Sequence, residues 1–144
     1  MLISGRWIKS KGGEDWPVVI ASVTGATRTL ADVPFLIDTG ADQTLLCAEV
    51  ARLLQLSQGR LPHALKGVGS VIESYVVSTE IRLRREDGVD VSFNGPIACC
   101  VQPDVLDMSV LGRDILNKFA VIIDNPGHRI ALVRERHRYA IESV

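Results

Sequence analysis

Helical periodicity is confined to one nine-residue stretch, "AEVARLLQL" at 48–56, with apolar residues at 50, 53, 54 and 56. The remaining apolar residues come in short runs rich in Val, Ile and Thr, punctuated by Gly, Pro and Asp-Gly. A chain with so little helix must bury its apolar surface between strands, as a sandwich or a closed barrel. "WPVVIASV" (16–23), "DVPFLI" (32–37), "TLLC" (44–47), "GPIACCVQP" (95–103) and "VLDMSVLG" (105–112) read as strands, and "TGATRT" (24–29) as a turn. "YVVSTEIRLRREDGVDVSF" (75–93) folds back at Glu86-Asp87-Gly88, since Asp-Gly marks a tight hairpin. "AVIIDNPGHRIALV" (120–133) turns at Asn125-Pro126-Gly127, and "ALKGVGSVIESYVV" (64–77) forms a hairpin with a Gly-rich tip. "RDILNKF" (113–119) adds a helix of about two turns on propensity. About nine short strands with one or two short helices predict an all-β, closed, barrel-like fold. With 144 residues the chain is one domain, with an N-terminal strand or extension at 1–15 and a charged tail at 134–144.

A net charge of −1 gives bulk electrostatics nothing to hold nucleic acid or an anionic membrane. The arginines at 82, 84 and 85 and at 134, 136 and 138 are interrupted by acids and apolar residues and read as solvated faces or a tail. "MLISGRWIKSKGG" has no apolar core and no small-residue cleavage site, so no signal peptide is expected. No apolar run approaches the ~20 residues that span a bilayer. The cysteines, Cys47, Cys99 and Cys100, are odd in number and two are adjacent in an apolar run. They read as reduced, buried thiols in a cytoplasmic setting. There is no CxxC, and His63, His128 and His137 are scattered, so neither a metal site nor a cofactor is expected.

Two short blocks carry chemistry. "FLIDTGADQTLL" (35–46) drives Asp38 onto the end of an apolar strand and follows it with Thr39, Gly40 and Ala41. A buried carboxylate costs several kcal/mol unless paired or hydrogen-bonded, so Asp38 is either a turn residue or an acid delivered to an interior cleft. Turns favour Asp and Gly, and the tripeptide alone does not decide. The second block is "VLGRDIL" (110–116): two apolar residues, then Gly112, Arg113 and Asp114 opening a helix. Between them lies "KGVGS" (66–70).

The three blocks, in this order and with roughly 60 to 80 residues between the first and last, resemble the retroviral-type aspartic proteases, the retropepsins. The resemblance runs from about Trp16 to Val133. It implies the homodimeric retropepsin fold and a catalytic role for Asp38. Thr39 would cross-link the two active-site loops, and Gly40 would accept a substrate backbone hydrogen bond. Asp42 and Arg113, beside Gly112, would brace the loop from behind. Gly67, Val68 and Gly69 would form the flap tip, with the Val68 N–H reaching the substrate. Ala41, Leu45, Met108 and Val110 would line side-chain pockets. Arg113 can fork two bonds to one carboxylate; the bland alternatives are a surface cap for Arg113, an ordinary hairpin turn for the glycines, and simple core for Met108 and Val110.

Peptide hydrolysis by this route needs two facing carboxylates, and the chain has one Asp-Thr-Gly, so a homodimer is implied. The hairpin strands "AVIID" and "RIALV", with the N-terminal strand around Leu2 to Ile8, are expected to form the intersubunit sheet. Compact viral members have Arg-Pro where this chain has Trp16-Pro17, so the resemblance does not extend to the intersubunit salt bridge that this arginine makes. A start at Met1 and the helix at 48–56 resemble the free-standing cellular and bacterial branch. The expected activity is an aspartic endopeptidase acting on peptide or protein. The alternative is a weak or inactive dimeric module of the same fold that binds peptides or serves as a scaffold.

Overall fold

The computed structural model describes residues 1–56, 62–67, 70–136, 138 and 140–143, and the backbone alone at 62–67, 70 and 71. Eleven strands and two short helices are present among them: β1 (Leu2–Ser4), β2 (Arg6–Lys9), β3 (Asp15–Thr24), β4 (Thr29–Ile37), β5 (Leu45–Leu46), α1 (Ala48–Leu53), β6 (Pro62–Gly67), β7 (Ser70–Arg84), β8 (Asp90–Cys100), β9 (Ser109–Leu111), α2 (Arg113–Leu116), β10 (Ala120–Asp124) and β11 (Arg129–Val133). The fold is all-β. Pairings run from β3 through β4, β9, β5, β8 and β7 and return to β3. The ring is barrel-like rather than a regular barrel, because β5 and β9 are only two and three residues long. β2 and β6 lie outside the ring, each on one flank.

The interior of the ring is filled from alternate positions of the strands. Val33, Phe35 and Ile37 of β4 are buried while Pro34 and Leu36 are half-buried, the period-two pattern of a strand with one face in the core. With Val19, Val23, Leu46, Leu54, Ile81, Leu83 and Leu111 they form one contiguous cluster. α1 closes one end of it through Val50 and Ala51. The helix is shorter than the periodicity predicts. It stops at Leu53 because Gln55 takes a left-handed φ of 51°. α2 likewise ends at Leu116, and its last turn tightens through Phe119 N–H donating to Leu116 O at 2.9 Å.

β7 and β8 are longer than the expected pieces. Gly95, with φ 150°, lies inside β8 instead of separating two strands. The turn between them spans 85–89, with Gly88 N–H bonded to Arg85 O and φ 84° at Gly88, where a glycine is favoured. Along this ribbon the arginines are each paired to an acid: Arg82 with Glu80, Arg84 with Asp90 and Arg85 with Asp87.

The N-terminal segment divides at Gly5. β2 pairs with β3, whereas β1 pairs with β11 in a separate antiparallel sheet ordered β1-β11-β10. Gly5 N–H donates to Ile130 O at 2.9 Å, and a Cβ there would collide with the Ile130 side chain and lie 2.6 Å from Val18 O. Within one chain β1, β11 and β10 pair with one another, and Gly5 lets β1 leave β2 and lie against β11.

Candidate active site

β4 and β9 are parallel, with Phe35 opposite Ser109, Leu36 opposite Val110 and Ile37 opposite Leu111. β9 also pairs with β5, so it lies between two strands joined by the loop at 38–44. The parallel register therefore brings the residue after Ile37 and the residue after Leu111 to the same end of the sheet. These are Asp38 and Gly112.

The two loops are sewn together. Asp38 N–H donates to Leu111 O at 3.2 Å and Arg113 N–H to Ala41 O at 2.8 Å. Arg113 Nη2 forms an ion pair with Asp42 Oδ1. Beneath them lies a contact that sequence reasoning missed. Thr44, 1% exposed, donates from its N–H at 3.0 Å and from its hydroxyl at 2.7 Å to Asp114 Oδ1. Its hydroxyl also accepts from Gly112 N–H at 3.1 Å. Ile115 N–H donates to the same Asp114 oxygen at 2.9 Å. The signal available was a threonine inside an otherwise apolar "TLLC" and an acid directly after Arg113. A separation of 70 positions along the chain hid the connection. Gly112 is required sterically: a Cβ there would collide with the Gln43 carbonyl group and lie 2.8 Å from Thr44 N.

Asp38 itself is half-buried, less enclosed than a strand of three apolar residues suggests. It stands at the rim where β4 stops. Its Oδ1 accepts from Gly40 N–H at 2.9 Å, and its backbone oxygen accepts from Ala41 N–H at 3.2 Å. This is the local turn that Asp and Gly favour, and it fixes the carboxylate's orientation. Among the described residues Oδ2 has no hydrogen-bond partner. Thr39 and Gly40 are exposed at the turn's tip.

Of the pocket candidates, Leu45 and Val110 are buried in one small apolar cluster with Ala98 and Cys100, and Ala41, Ile72 and Leu106 pack against it. This cluster adjoins the 38–44 and 112–114 loops because Ala41 belongs to the first and Val110 precedes the second. Met108 is also buried, but it is not part of the cluster. Gly67 ends β6 and pairs with Ser70 of β7. Val68 and Gly69 lie outside the described residues.

Solved structures similar to this chain include two retropepsin-type proteases. A retropepsin-like aspartic protease from Rickettsia conorii is 19% identical, with a TM-score of 0.51, covering 92% of this chain and 88% of that one. The EIAV protease in complex with the inhibitor HBY-793 is 23% identical, with a TM-score of 0.49, covering 72% of this chain and 88% of that one. The Rickettsia likeness shows a shared retropepsin-like fold. No curated protein matches the chain. The model of the retroviral aspartyl protease family matches residues 13–124, which span both loops, Asp38 and Arg113, and the chain belongs to that family.

Proposed function

We propose that the protein is an aspartic endopeptidase whose active site is completed by a second copy of the chain. Asp38 of one protomer and the partner's Asp38 face each other over one water. Close like charges do not both ionise, so the pair holds one proton. The ionised carboxylate takes a proton from the water as its oxygen bonds to the peptide carbonyl carbon. The protonated one donates a hydrogen bond to the carbonyl oxygen. Collapse of the tetrahedral intermediate breaks the C–N bond as the leaving nitrogen takes back the proton that the carboxylate removed from the water, which restores the singly protonated pair. The substrate lies extended, as an added strand. The apolar wall of Ala41, Leu45, Ile72, Leu106 and Val110 favours apolar side chains beside the cut. Three free, buried thiols support a reducing, cytoplasmic setting.

The observation that carries this reading is Asp38, half-buried at the end of a core strand, its carboxylate oriented by Gly40 and its loop tied to 112–114. The test is Asp38→Asn assayed on a peptide library. Cleavage should fall by about three orders of magnitude or more, with the melting temperature and sedimentation behaviour unchanged. Turnover retained in that variant would refute the proposal.

A further inference from the structure

The loop at 101–108, between β8 and β9, begins with Val101 N–H donating to Glu73 O of β7 at 3.1 Å and ends in β9, beside the Asp38 loop. Leu106 packs inward, against the cluster of Leu45, Ala98, Cys100 and Val110 that Ala41 also covers. The residues around it face outward: Asp104, Val105 and Asp107 are exposed, and Val105 is an apolar side chain left 41% exposed. Against this loop stands the turn between β2 and β3. β2 and most of that turn precede the stretch shared with the retroviral proteases. The turn is fixed by Ser10, which is buried. Its Oγ accepts from the N–H groups of Gly12 and Glu14, both at 3.2 Å, and donates to Glu14 Oε2 at 2.9 Å. Lys11, on the same turn, reaches Asp107 at 3.9 Å.

We infer that this rim, the Ser10–Gly13 turn with the 101–108 loop, is a subsite for a lysine or arginine side chain of the substrate a few residues from the cut. The inference deepens the peptidase reading and rests on it for the place of the cleft. Charge is the first argument. Lys11 stands with three carboxylates, those of Glu14, Asp104 and Asp107, and Asp104 makes no ion pair among the described residues. The second is the looseness of the pair already there. Lys11 and Asp107 are 84% and 40% exposed at their side chains and stand at the limit of ion-pair distance. Such a pair contributes little, so an incoming cation displaces Lys11 at small cost. An arginine then forks onto a carboxylate as Lys11 cannot. The third is Val105, apolar and exposed directly after Asp104. Lys and Arg lay their methylene stems along apolar surface and keep the charged end in water beside an acid. A wholly apolar side chain leaves the carboxylates unanswered, and an acidic one is repelled. Asp107 lies three residues before Val110, at most about 11 Å of chain. An extended peptide advances about 3.4 Å per residue, so the basic residue falls within about three positions of the side chain that Val110 holds.

The test measures binding apart from turnover. Fluorescence anisotropy of labelled peptides is read on the full chain carrying Asp38→Asn. The peptides share a central apolar pair and carry Arg, Gln or Glu at one of the four positions on either side. At one position Arg should bind about fivefold or more tighter than Gln, with Glu weaker still, and the spread should shrink to about twofold in 1 M salt. Adding Asp104→Asn and Asp107→Asn, both at exposed positions, should bring Arg and Gln within about twofold while the melting temperature holds. Adding Lys11→Gln instead should tighten the Arg peptide, since the competing ammonium is gone. Asp32→Asn removes an exposed carboxylate of β4 at a φ of 57° that Asn tolerates, and should leave the preference as it was. No position that prefers Arg, a preference that survives the double substitution, or one lost equally through Asp32→Asn overturns the inference. The same peptides are then offered to the parent chain. Cleavage without the Arg preference removes the subsite and leaves the peptidase reading. Binding with the preference but no cleavage leaves the subsite standing and removes the peptidase reading.

Discussion

At the scale of single residues, the loop that holds Asp38 depends more on a buried hydroxyl than on the ion pair behind it. Asp42 and Arg113 are 77% and 48% exposed at their side chains, and pairs in that setting contribute about 0–1 kcal/mol. Thr44 is buried and serves both loops at once, as donor to Asp114 and acceptor from Gly112 N–H. Thr44→Val keeps the shape, strands the Gly112 N–H and removes one donor from Asp114. The expected cost is about 1–3 kcal/mol, against at most about 1 kcal/mol for Arg113→Gln, read from urea denaturation of the two variants side by side. The reverse order would make the ion pair the brace after all. Asp-Thr-Gly and Gly-Arg-Asp could be read from the sequence because each is a local signal. Thr44 and Asp114 could not be paired there, since only the parallel register of β4 with β9, and β5 beside it, brings them together.

At the scale of elements, the strand content was readable because β-branched runs, Asp-Gly and proline are local, and because no competing helical period exists. The N-terminal segment was not. "LISGRWIK" reads as one N-terminal strand, and nothing in it marks Gly5 as the point where the chain changes sheets. The determinant is remote: the Ile130 side chain and the Val18 carbonyl leave no room for a Cβ at position 5. In the final hairpin the turn falls where Asn-Pro-Gly marks it, with His128 taking the left-handed φ of 51°. Gly5→Val should force β1 away from β11 or β2 away from β3. The expected loss is about 1–3 kcal/mol, accompanied by faster cleavage of the N-terminal residues in limited proteolysis. A variant as stable and as protease-resistant as the parent would show that the junction yields at no cost.

At the scale of the whole molecule, the larger core and the cluster beside the Asp38 loop meet along β8. Cys99 and Cys100 are adjacent there and face opposite ways, the first into the core and the second into the cluster. Burial pushes the Cys99 thiol up to about 12 from its usual 9.0. Tyr75, also buried and lying beside Cys99 and Cys100, is pushed up to about 12 from 10.0. Both groups keep their protons in the folded protein at pH values where the unfolded chain loses them. Their contribution to stability is therefore complete below about pH 9 and is lost as pH rises toward about 12. The urea midpoint should hold steady between about pH 7 and 8.5 and then decline. Cys99→Ala should flatten that decline, whatever it does to stability at neutral pH, because it removes one of the titrations of Cys99, Tyr75 and Cys100, all three raised by burial. The same burial should make the native thiols slow toward a disulfide reagent at pH 8, and unfolding in urea should release all three. If the midpoint is as steep with Cys99→Ala as without it, the alkaline loss arises elsewhere. If the native protein reacts at once, the junction between the core and the cluster is open to solvent, and the cleft is not resting on a rigid floor.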